Sequence, residues 1–184
     1  MSENPPKKQQ NPWIEGIQTI GLSIVLALGI RQFVAEARYI PSGSMIPTLQ
    51  IDDRLVIEKI SYRFNPPNRG DIIVFRAPQK ALDAANVQGK AAYIKRVIGL
   101  PGDTVEVKDG KTLINGEALQ EDYIQAPPDY TLPAEVVPAD EYLVLGDNRN
   151  SSSDGHVWGF LSKDAIIGRA SVRFWPLGRI GGLD

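Results

Sequence analysis

A chain of 184 residues, of which 42% are hydrophobic and 23% are charged, has enough apolar material for one packed domain with a small appendage. Its formal net charge of -2 argues against a nucleic-acid partner, because nucleic-acid-binding domains are normally strongly basic. The absence of cysteine excludes disulfides and thiolate catalysis, and the single histidine, His156, disfavours a transition-metal site. We therefore predict no metal and no cofactor, so that any catalysis must use Ser, Lys, Arg, Asp or Glu.

The first predicted element is an apolar segment at residues 13–36, which follows a polar, proline-rich arm at residues 1–12. No charged residue occurs within residues 17–30. Three interpretations fit this segment: a buried core helix, a retained transmembrane anchor, or a cleavable signal peptide with an A-x-A site at Ala35-Glu36-Ala37.

The basic residues of the arm predict the orientation of such an anchor. Lys7 and Lys8 precede the apolar segment, and positively charged flanks stay on the cytoplasmic side of a membrane. We therefore expect a cytoplasmic N-terminus, with residues 37–184 on the opposite side.

After the apolar segment, nearly all signals are those of β-strands. The strand-like runs are "DRLVIEKISYRF", "RGDIIVF", "AAYIKRVIGLPGDTVEVKDGKTLINGEAL", "EYLVLGDN" and "IIGRASVRFWPL". Asp109-Gly110 and Asn115-Gly116 are strong signals of β-hairpins. Residues 78–88 and 123–140 are predicted to be loops, and a short turn is predicted near residues 162–166. We predict a mainly antiparallel β domain that follows one helix.

The first candidate for catalysis is a serine in the segment "PSGSMIPTL", residues 41–49. Gly43 permits a sharp turn, and Pro41 and Pro47 restrict the backbone on both sides, so Ser44 should be held in place. An ordinary Ser/Gly loop fits the same residues. Because a serine hydroxyl is a weak nucleophile, a catalytic role for Ser44 requires a nearby base.

Three arrangements of such a base are conceivable. A Ser-His-Asp triad would use His156 and Asp154, although these two residues are close in sequence and no nucleophile elbow surrounds the serine. An S-x-x-K arrangement fails because Pro47 stands three residues after Ser44. The third candidate is Lys95, in the predicted strand "YIKRVIGL".

Lys95 can act as a base only if burial lowers its pKa. The reference pKa of lysine is about 10.4, so a base at neutral pH needs a decrease of about three units, which burial in apolar surroundings can supply. Alternation along the strand places Lys95 between Tyr93 and Val97 on one face. A lysine whose amine reaches water from the strand is the structural alternative.

Four segments follow the apolar segment in order: "PSGSMIPTL", "RGDIIVF", "YIKRVIGLPGDTVEV" and "GDNRNSSSDGHVWGF". In this order they resemble the motif boxes of type I signal peptidases, the bacterial leader peptidases, across most of residues 41–160. The resemblance implies twisted antiparallel sheets in a compact catalytic domain at residues 37–184, after a transmembrane helix at residues 13–36. Because the interval between the third and fourth segments is short, an inserted β subdomain around residues 103–141 should be small.

The resemblance also implies a role for each matching residue. Ser44 would attack the scissile carbonyl, and Lys95 would accept its proton. Ser42, with the backbone N–H of Ser44, would form an oxyanion hole, and Ser152 would hydrogen-bond and orient Lys95. Met45 would line the substrate site. The polar residues that would support the site are Arg96, Asp147, Arg149 and Asp154.

Two residues depart from the common bacterial pattern. Asn150 stands where an aspartate is common after "GDNR", which suggests the variant of cyanobacteria and of thylakoid processing peptidases. His156 stands where a basic residue often pairs with the second aspartate, so the resemblance does not imply a pair between His156 and Asp154.

The function that the resemblance implies is removal of signal peptides from secreted preproteins by a membrane-anchored serine endopeptidase with a Ser/Lys dyad. Cleavage is expected after small residues at positions -3 and -1 of the preprotein. The partners would be these preproteins and the lipid bilayer, in the plasma membrane or the thylakoid membrane, with the catalytic domain on the outer face. An alternative function is that of a membrane-tethered β module without catalysis that binds or scaffolds envelope proteins.

Overall fold

The computed structural model describes residues 12–183 and contains, within that range, three α-helices and twelve β-strands. The α-helices are α1 (Pro12–Phe33), α2 (Gln79–Ala84) and α3 (Gly155–Trp158). The strands are β1 (Ala35–Tyr39), β2 (Arg54–Glu58), β3 (Ile72–Arg76), β4 (Ala92–Gly99), β5 (Thr104–Lys108), β6 (Lys111–Ile114), β7 (Glu117–Ala118), β8 (Leu132–Val136), β9 (Glu141–Leu145), β10 (Leu161–Ser162), β11 (Ile166–Trp175) and β12 (Gly181–Gly182). Except for Pro12, the predicted arm lies outside the described residues, as do Lys7 and Lys8 within it.

Helix α1 is long and apolar enough to cross a membrane. Its 22 residues correspond to about 33 Å, close to the roughly 30 Å thickness of a bilayer's hydrocarbon core. The mean hydropathy of its apolar stretch is 1.6, and none of its residues is buried. The interpretation as a buried core helix is therefore wrong. The helix ends at Phe33 rather than at residue 36, because Ala35 already belongs to β1.

The larger of two sheets contains eight strands, all paired antiparallel. Seven of them are ordered β1-β2-β11-β3-β4-β9-β10, and β12 pairs with β11. Strand β4 lies between β3 and β9, so it has a hydrogen-bonded neighbour on each side. This central position buries residues 94–99.

A second antiparallel sheet, ordered β7-β6-β5-β8, is formed by the chain between β4 and β9. Its two hairpin turns are at Asp109-Gly110 and Asn115-Gly116, where all four residues have positive φ, as in type I′ turns. Both hairpin predictions are confirmed. The two antiparallel sheets and the N-terminal apolar helix confirm the predicted mainly β fold class.

Two elements lie in segments that were predicted to be loops. Helix α2 occurs within residues 78–88, and its six residues are too few to show a helical periodicity in the sequence. Strand β8 occurs within residues 123–140 at the edge of the smaller sheet, where most of its residues are exposed and Pro133 is tolerated. The turn predicted near residues 162–166 is a 3₁₀ helix, Lys163–Ala165.

Apolar side chains cover both faces of the larger sheet. Strand β3 shows this directly, since Ile72 and Val74 belong to one core cluster, and Ile73 and Phe75 belong to another. The first cluster also contains three residues of the segment between β1 and β2, namely Ile40, Met45 and Leu49. The segment that carries Ser44 is therefore anchored in the core.

Candidate active site

Ser44 lies in a tight turn that the loop after β9 holds in place. The N–H of Ile46 donates to the carbonyl of Gly43 at 3.1 Å, which closes the turn. Asn148 donates its backbone N–H to the carbonyl of Ser44 and its side-chain amide to the carbonyl of Gly43, each at 3.1 Å. Ser44 is 9% exposed, so its hydroxyl has a fixed position and little contact with solvent.

Lys95 lies on the central strand β4 and contacts this serine. Its Nζ donates to Ser44 Oγ at 2.8 Å and to the carbonyl of Ile94 at 3.0 Å. The amine also lies 5.8 Å from the centre of the Tyr93 ring. Because Lys95 is only 4% exposed, the alternative of an amine that reaches water is wrong. A buried amine in contact with a hydroxyl can move a proton between the two groups.

Burial lowers the pKa of Lys95 from 10.5 to about 8. The cause is the loss of hydration, which disfavours the charged ammonium form. The negative charges of Asp154 and Asp147 act in the opposite direction and limit the decrease. At pH 7 a pKa near 8 leaves roughly a tenth of the amine neutral, compared with less than about a thousandth at the ordinary lysine pKa. Burial therefore produces a population of Lys95 that can accept a proton.

Ser42 places a second hydroxyl beside that of Ser44. Their Oγ atoms are 3.5 Å apart, and Ser42 is exposed whereas Ser44 is buried. The backbone N–H of Ser44 makes no hydrogen bond within residues 12–183. The Ser42 hydroxyl and this N–H are therefore two donors that are available to a ligand oxygen.

Ser152 lies at the site without the contact predicted for it. It is buried, but its hydroxyl makes no hydrogen bond within residues 12–183, and the hydrogen bonds of the Lys95 amine go to Ser44 and Ile94. The predicted hydrogen bond from Ser152 to Lys95 is therefore wrong. The packing here is tight, since a Cβ on Gly146 would lie 2.5 Å from the carbonyl oxygen of Ser44 and closer still to Ser152 Oγ.

Arg96 and Asp147 form a buried ion pair next to the serine turn. Arg96 donates from Nε and Nη2 to the two carboxylate oxygens of Asp147, at 2.8 and 2.6 Å. Thr48, four residues after Ser44, donates to the same carboxylate at 2.5 Å. The Arg96 guanidinium also lies 4.1 Å from the centre of the Tyr123 ring. These contacts join β4, the serine turn and the loop after β9.

Arg149 is buried and links that loop to the smaller sheet. Its guanidinium donates to both carboxylate oxygens of Glu121, at 2.5 and 2.9 Å, and to Thr112 Oγ1 of β6 at 2.7 Å. Its Nε donates to the carbonyl of Gly146 at 3.1 Å. The position of Gly146 beside Ser44 therefore depends on the contacts of Arg149 with Thr112 in the smaller sheet and with Glu121 in the segment after β7.

Asp154 caps the N-terminus of α3 and holds the same loop from the other side. One of its carboxylate oxygens accepts the N–H of Gly146 at 2.8 Å, and the other contacts Nδ1 of His156 at 2.7 Å. The pair between Asp154 and His156, which the resemblance did not imply, is therefore present. The imidazole also stacks on Tyr130, with ring centres 4.0 Å apart. Because His156 makes no hydrogen bond to Ser44 among the described residues, the Ser-His-Asp arrangement is wrong.

One residue of the site lies elsewhere than predicted, and two others were not predicted to belong to the site. Met45, predicted to line the substrate site, has 0% exposure and packs in the first core cluster beneath the serine turn. Asn148 lies in the "GDNR" segment, which is the signal that could have identified it. Glu121 is 28 residues from Arg149, and only the fold brings the two together.

The sequence matches the family described as signal peptidase, peptidase S26, over residues 13–175. The chain belongs to this family. Signal peptidase I of Leptolyngbya laminosa is 64% identical over 176 residues, which cover 96% of this chain and 86% of that protein. A probable signal peptidase I-2 of Synechocystis sp. is 56% identical over 179 residues, with 97% of this chain and 79% of that protein covered.

The similarity extends to a plant protein. Probable thylakoidal processing peptidase 2 of Arabidopsis thaliana is 41% identical over 162 residues, which cover 86% of this chain and 43% of that protein. A solved signal peptidase I from Enterococcus faecalis V583 is 33% identical and covers 58% of this chain and 98% of its own, with a TM-score of 0.43 that is too low to support a conclusion. The relatives confirm the resemblance and the prediction of a signal peptidase I, a hydrolase.

Proposed function

We propose that the chain removes signal peptides from translocated preproteins as a membrane-anchored serine endopeptidase, with Ser44 and Lys95 as its catalytic dyad. The observation that carries the proposal is the 2.8 Å hydrogen bond between Lys95 Nζ and Ser44 Oγ inside a buried site. Family membership gives the class of reaction, and this contact offers a nucleophile together with a base.

In the proposed reaction, the neutral amine of Lys95 accepts the proton of Ser44 while Oγ attacks the scissile carbonyl carbon. The intermediate collapses as Lys95 returns the proton to the departing amine, which leaves the signal peptide bound to Ser44 as an ester. A water molecule, deprotonated by the same amine, then attacks the ester, and Lys95 returns this proton to Ser44 Oγ as the signal peptide leaves with a free C-terminal carboxyl group. Each half of the reaction starts with Lys95 in its neutral form, which its lowered pKa makes accessible.

The charge that develops on the carbonyl oxygen needs hydrogen-bond donors. We assign this role to the Ser42 hydroxyl and the Ser44 N–H, the two available donors at the nucleophile. The charged residues around these two donors hold the backbone of the site in place. The pairs of Arg96 with Asp147 and of Arg149 with Glu121, together with Asp154, hold the loop after β9 against the serine turn. The carboxylates of Asp147 and Asp154 also keep the pKa of Lys95 from falling further.

The proposed substrate segment is an extended peptide. A nucleophile placed among β-strands suits a peptide that pairs backbone to backbone, so that alternate side chains enter shallow pockets. We therefore expect small residues at positions -1 and -3. Replacing Ala by Phe at position -1 of a preprotein should lower kcat/KM by at least about tenfold, because the larger ring does not fit. Equal rates for the two preproteins would contradict this specificity.

The central experiment is cleavage of a preprotein by the purified full-length chain in detergent, with the product identified by mass spectrometry. The wild-type chain should make a single cut before the mature N-terminus, and Ser44→Ala should yield no product. Ser61→Ala, which replaces an exposed serine outside the site, should cleave at the wild-type rate. Intact preprotein with the wild-type chain would contradict the function, and cleavage by Ser44→Ala would contradict the role of Ser44.

A further inference from the structure

A cavity near the C-terminal end of α1 is a second candidate site, separate from Ser44. Its volume is about 450 Å³, and it lies between the last turn of α1, the segment after β2 and the start of β11. None of the residues proposed for catalysis lines it. The charged residues that line this basic cavity are Lys59, Arg63, Arg76, Lys163 and Asp164.

The basic cavity keeps a net positive charge, because four cationic side chains line it and, among the described residues, only Asp164 and the Glu36 partner of Lys59 oppose them. Lys59 pairs with Glu36 at 2.6 Å. Arg63 and Arg76 donate to backbone carbonyls, and neither they nor Lys163 form an ion pair within residues 12–183. Positive side chains that converge on a concave surface attract an anion, and guanidinium groups suit the oxygens of phosphate or sulfonate.

The position of the basic cavity indicates where the anion would come from. Gln32, in the last turn of α1, lines the cavity, and Arg63 donates to the carbonyl of Phe33 at 3.0 Å. Exposed apolar side chains are adjacent in the sequence, namely Phe33 (56% exposed), Ile60 (41%) and Phe64 (79%). Apolar side chains of this kind enter the headgroup region of a bilayer when they flank a membrane anchor.

We propose that the basic cavity binds the anionic headgroup of a membrane lipid through its phosphate or sulfonate group. Basic pockets at the end of a membrane helix recognise lipid headgroups in this way, and the volume is that of a site for a small molecule. A bound headgroup would bridge α1, the segment after β2 and β11, and so fix the catalytic domain relative to the bilayer. This inference uses the proposed membrane placement of α1 but not the proposed roles of Ser44 and Lys95.

The test is a calorimetric titration of the full-length chain in neutral dodecyl maltoside micelles with dihexanoyl phosphatidylglycerol. The wild-type chain should bind this lipid but not the zwitterionic dihexanoyl phosphatidylcholine. Arg76→Gln/Lys163→Gln should raise Kd roughly thirtyfold, because each surface charge contributes about fivefold to such binding. The Lys163 side chain makes no hydrogen bond within residues 12–183, so Lys163→Gln alone should raise Kd by about fivefold through the loss of charge. The matched control is Lys108→Gln/Lys111→Gln, which removes two exposed charges from the smaller sheet and should leave Kd unchanged.

A titration with inorganic phosphate distinguishes a lipid ligand from a free anion. It should bind at least about tenfold more weakly than the lipid, because it lacks apolar contacts with side chains such as Phe64. Equal Kd values for phosphate and lipid, for the two lipids, or for the cavity variants and the wild type would each overturn the proposal. Binding at the cavity requires neither Ser44 nor Lys95. Preprotein cleavage measured on the same samples therefore tests the dyad independently of lipid binding, so the failure of one proposal can be told from the failure of the other.

Discussion

Lys95 combines a hydrogen bond to a serine hydroxyl with an amine whose pKa, about 8, lies well below the ordinary lysine value. The central position of β4 supports the lowered pKa, because the strand lies inside the sheet and the side chain is withdrawn from solvent. A lysine on an exposed edge strand would remain hydrated and keep a pKa near its reference value. The chemistry that we propose for Lys95 therefore depends on its strand as much as on its identity.

Replacing Lys95 by arginine tests the base directly. Lys95→Arg keeps the positive charge, but a guanidinium stays protonated and cannot accept the serine proton. We expect kcat for preprotein cleavage to fall by at least about a thousandfold, the scale of losing a general base. Ser44→Ala should be equally inactive, and the double variant should lose little more, as expected for residues that act as a unit.

The matched control is His156→Ala, which should retain most of the activity because His156 contacts Asp154 and Tyr130 rather than Ser44. Circular dichroism should show that each variant is folded. Substantial cleavage by a folded Lys95→Arg chain would show that another group accepts the proton.

The burial of Lys95 should also lower the stability of the folded chain. Its pKa is about 8 in the folded state and near 10.5 in the unfolded state, so the unfolded state binds more protons between these values. The free energy of unfolding should therefore rise as pH increases from about 8 to about 10.5, with the full penalty present below pH 8. Lys95→Met removes this penalty of about 3 kcal/mol but also the two hydrogen bonds of the amine, so it should stabilise the chain at pH 7 by on the order of 1 kcal/mol.

Thermal unfolding in detergent at pH 7 and pH 10 checks this stability effect. The Tm of Lys95→Met should exceed the wild-type Tm at pH 7 by several degrees, and the difference should shrink at pH 10. A wild-type chain that is the more stable of the two at pH 7 would mean that Lys95 is solvated in the folded state.

At the scale of single residues, the sequence identifies which residues belong to the site better than it identifies the contacts between them. Ser44 and Lys95 could be selected from their motifs, and the structure places them 2.8 Å apart. The direction of the Ser152 hydroxyl and the pairing of His156 with Asp154 depend on how the loop after β9 packs, which no local pattern specifies. A contact between two side chains is a property of the tertiary structure even when each residue belongs to a recognisable motif.

The loop after β9 is the element on which the site depends. It supplies Gly146 and Asn148 to the serine turn, and Arg149 connects it to Thr112 of the smaller sheet and to Glu121. The side chain of Arg149 is 0% exposed and that of Glu121 is 5% exposed, so water cannot replace either partner. Removing one charge of such a pair leaves the other buried and uncompensated.

We expect Glu121→Ala to lower the free energy of unfolding by about 3 kcal/mol, because Arg149 then stays buried without its carboxylate. Replacing both residues, in Glu121→Ala/Arg149→Met, should recover part of that loss because no buried charge remains. Glu117→Ala, at an exposed position of the smaller sheet, is the control and should change stability by less than about 0.5 kcal/mol. Chemical denaturation of the three variants measures these differences, and equal stabilities for Glu121→Ala and Glu117→Ala would show that the pair is not needed.

The elements that sequence patterns predict are those with strong local signals. The hairpins at Asp109-Gly110 and Asn115-Gly116 were predictable because few residues other than glycine, asparagine and aspartate tolerate positive φ. Strand β8 lacked such a signal, because an exposed edge strand needs no apolar alternation. Helix α2 is stabilised by the burial of Ala81 and Leu82 in the assembled fold rather than by its own six residues.

On the scale of the whole molecule, α1 and the β domain meet within two residues, since α1 ends at Phe33 and β1 begins at Ala35. The A-x-A segment at Ala35-Glu36-Ala37 is paired with β2, from Ala35 opposite Glu58 to Ala37 opposite Val56. Cleavage there would require β1 to leave the sheet, because a protease binds its substrate in a free, extended form. This pairing favours a retained anchor over a cleaved leader.

The orientation of that anchor is the last prediction. A translocated signal peptide emerges on the side of the membrane opposite the cytoplasm, so Ser44 can meet it only if the β domain lies there. Lys7 and Lys8 favour this orientation, because basic residues before an apolar helix resist translocation. Protease added to sealed spheroplasts should therefore digest the β domain of the wild-type chain. In Lys7→Glu/Lys8→Glu, part of the chain should be protected from the protease. The control Lys108→Glu/Lys111→Glu should be digested like the wild type. Full protection of the wild-type β domain in spheroplasts, with digestion after lysis, would place Ser44 in the cytoplasm and contradict the orientation.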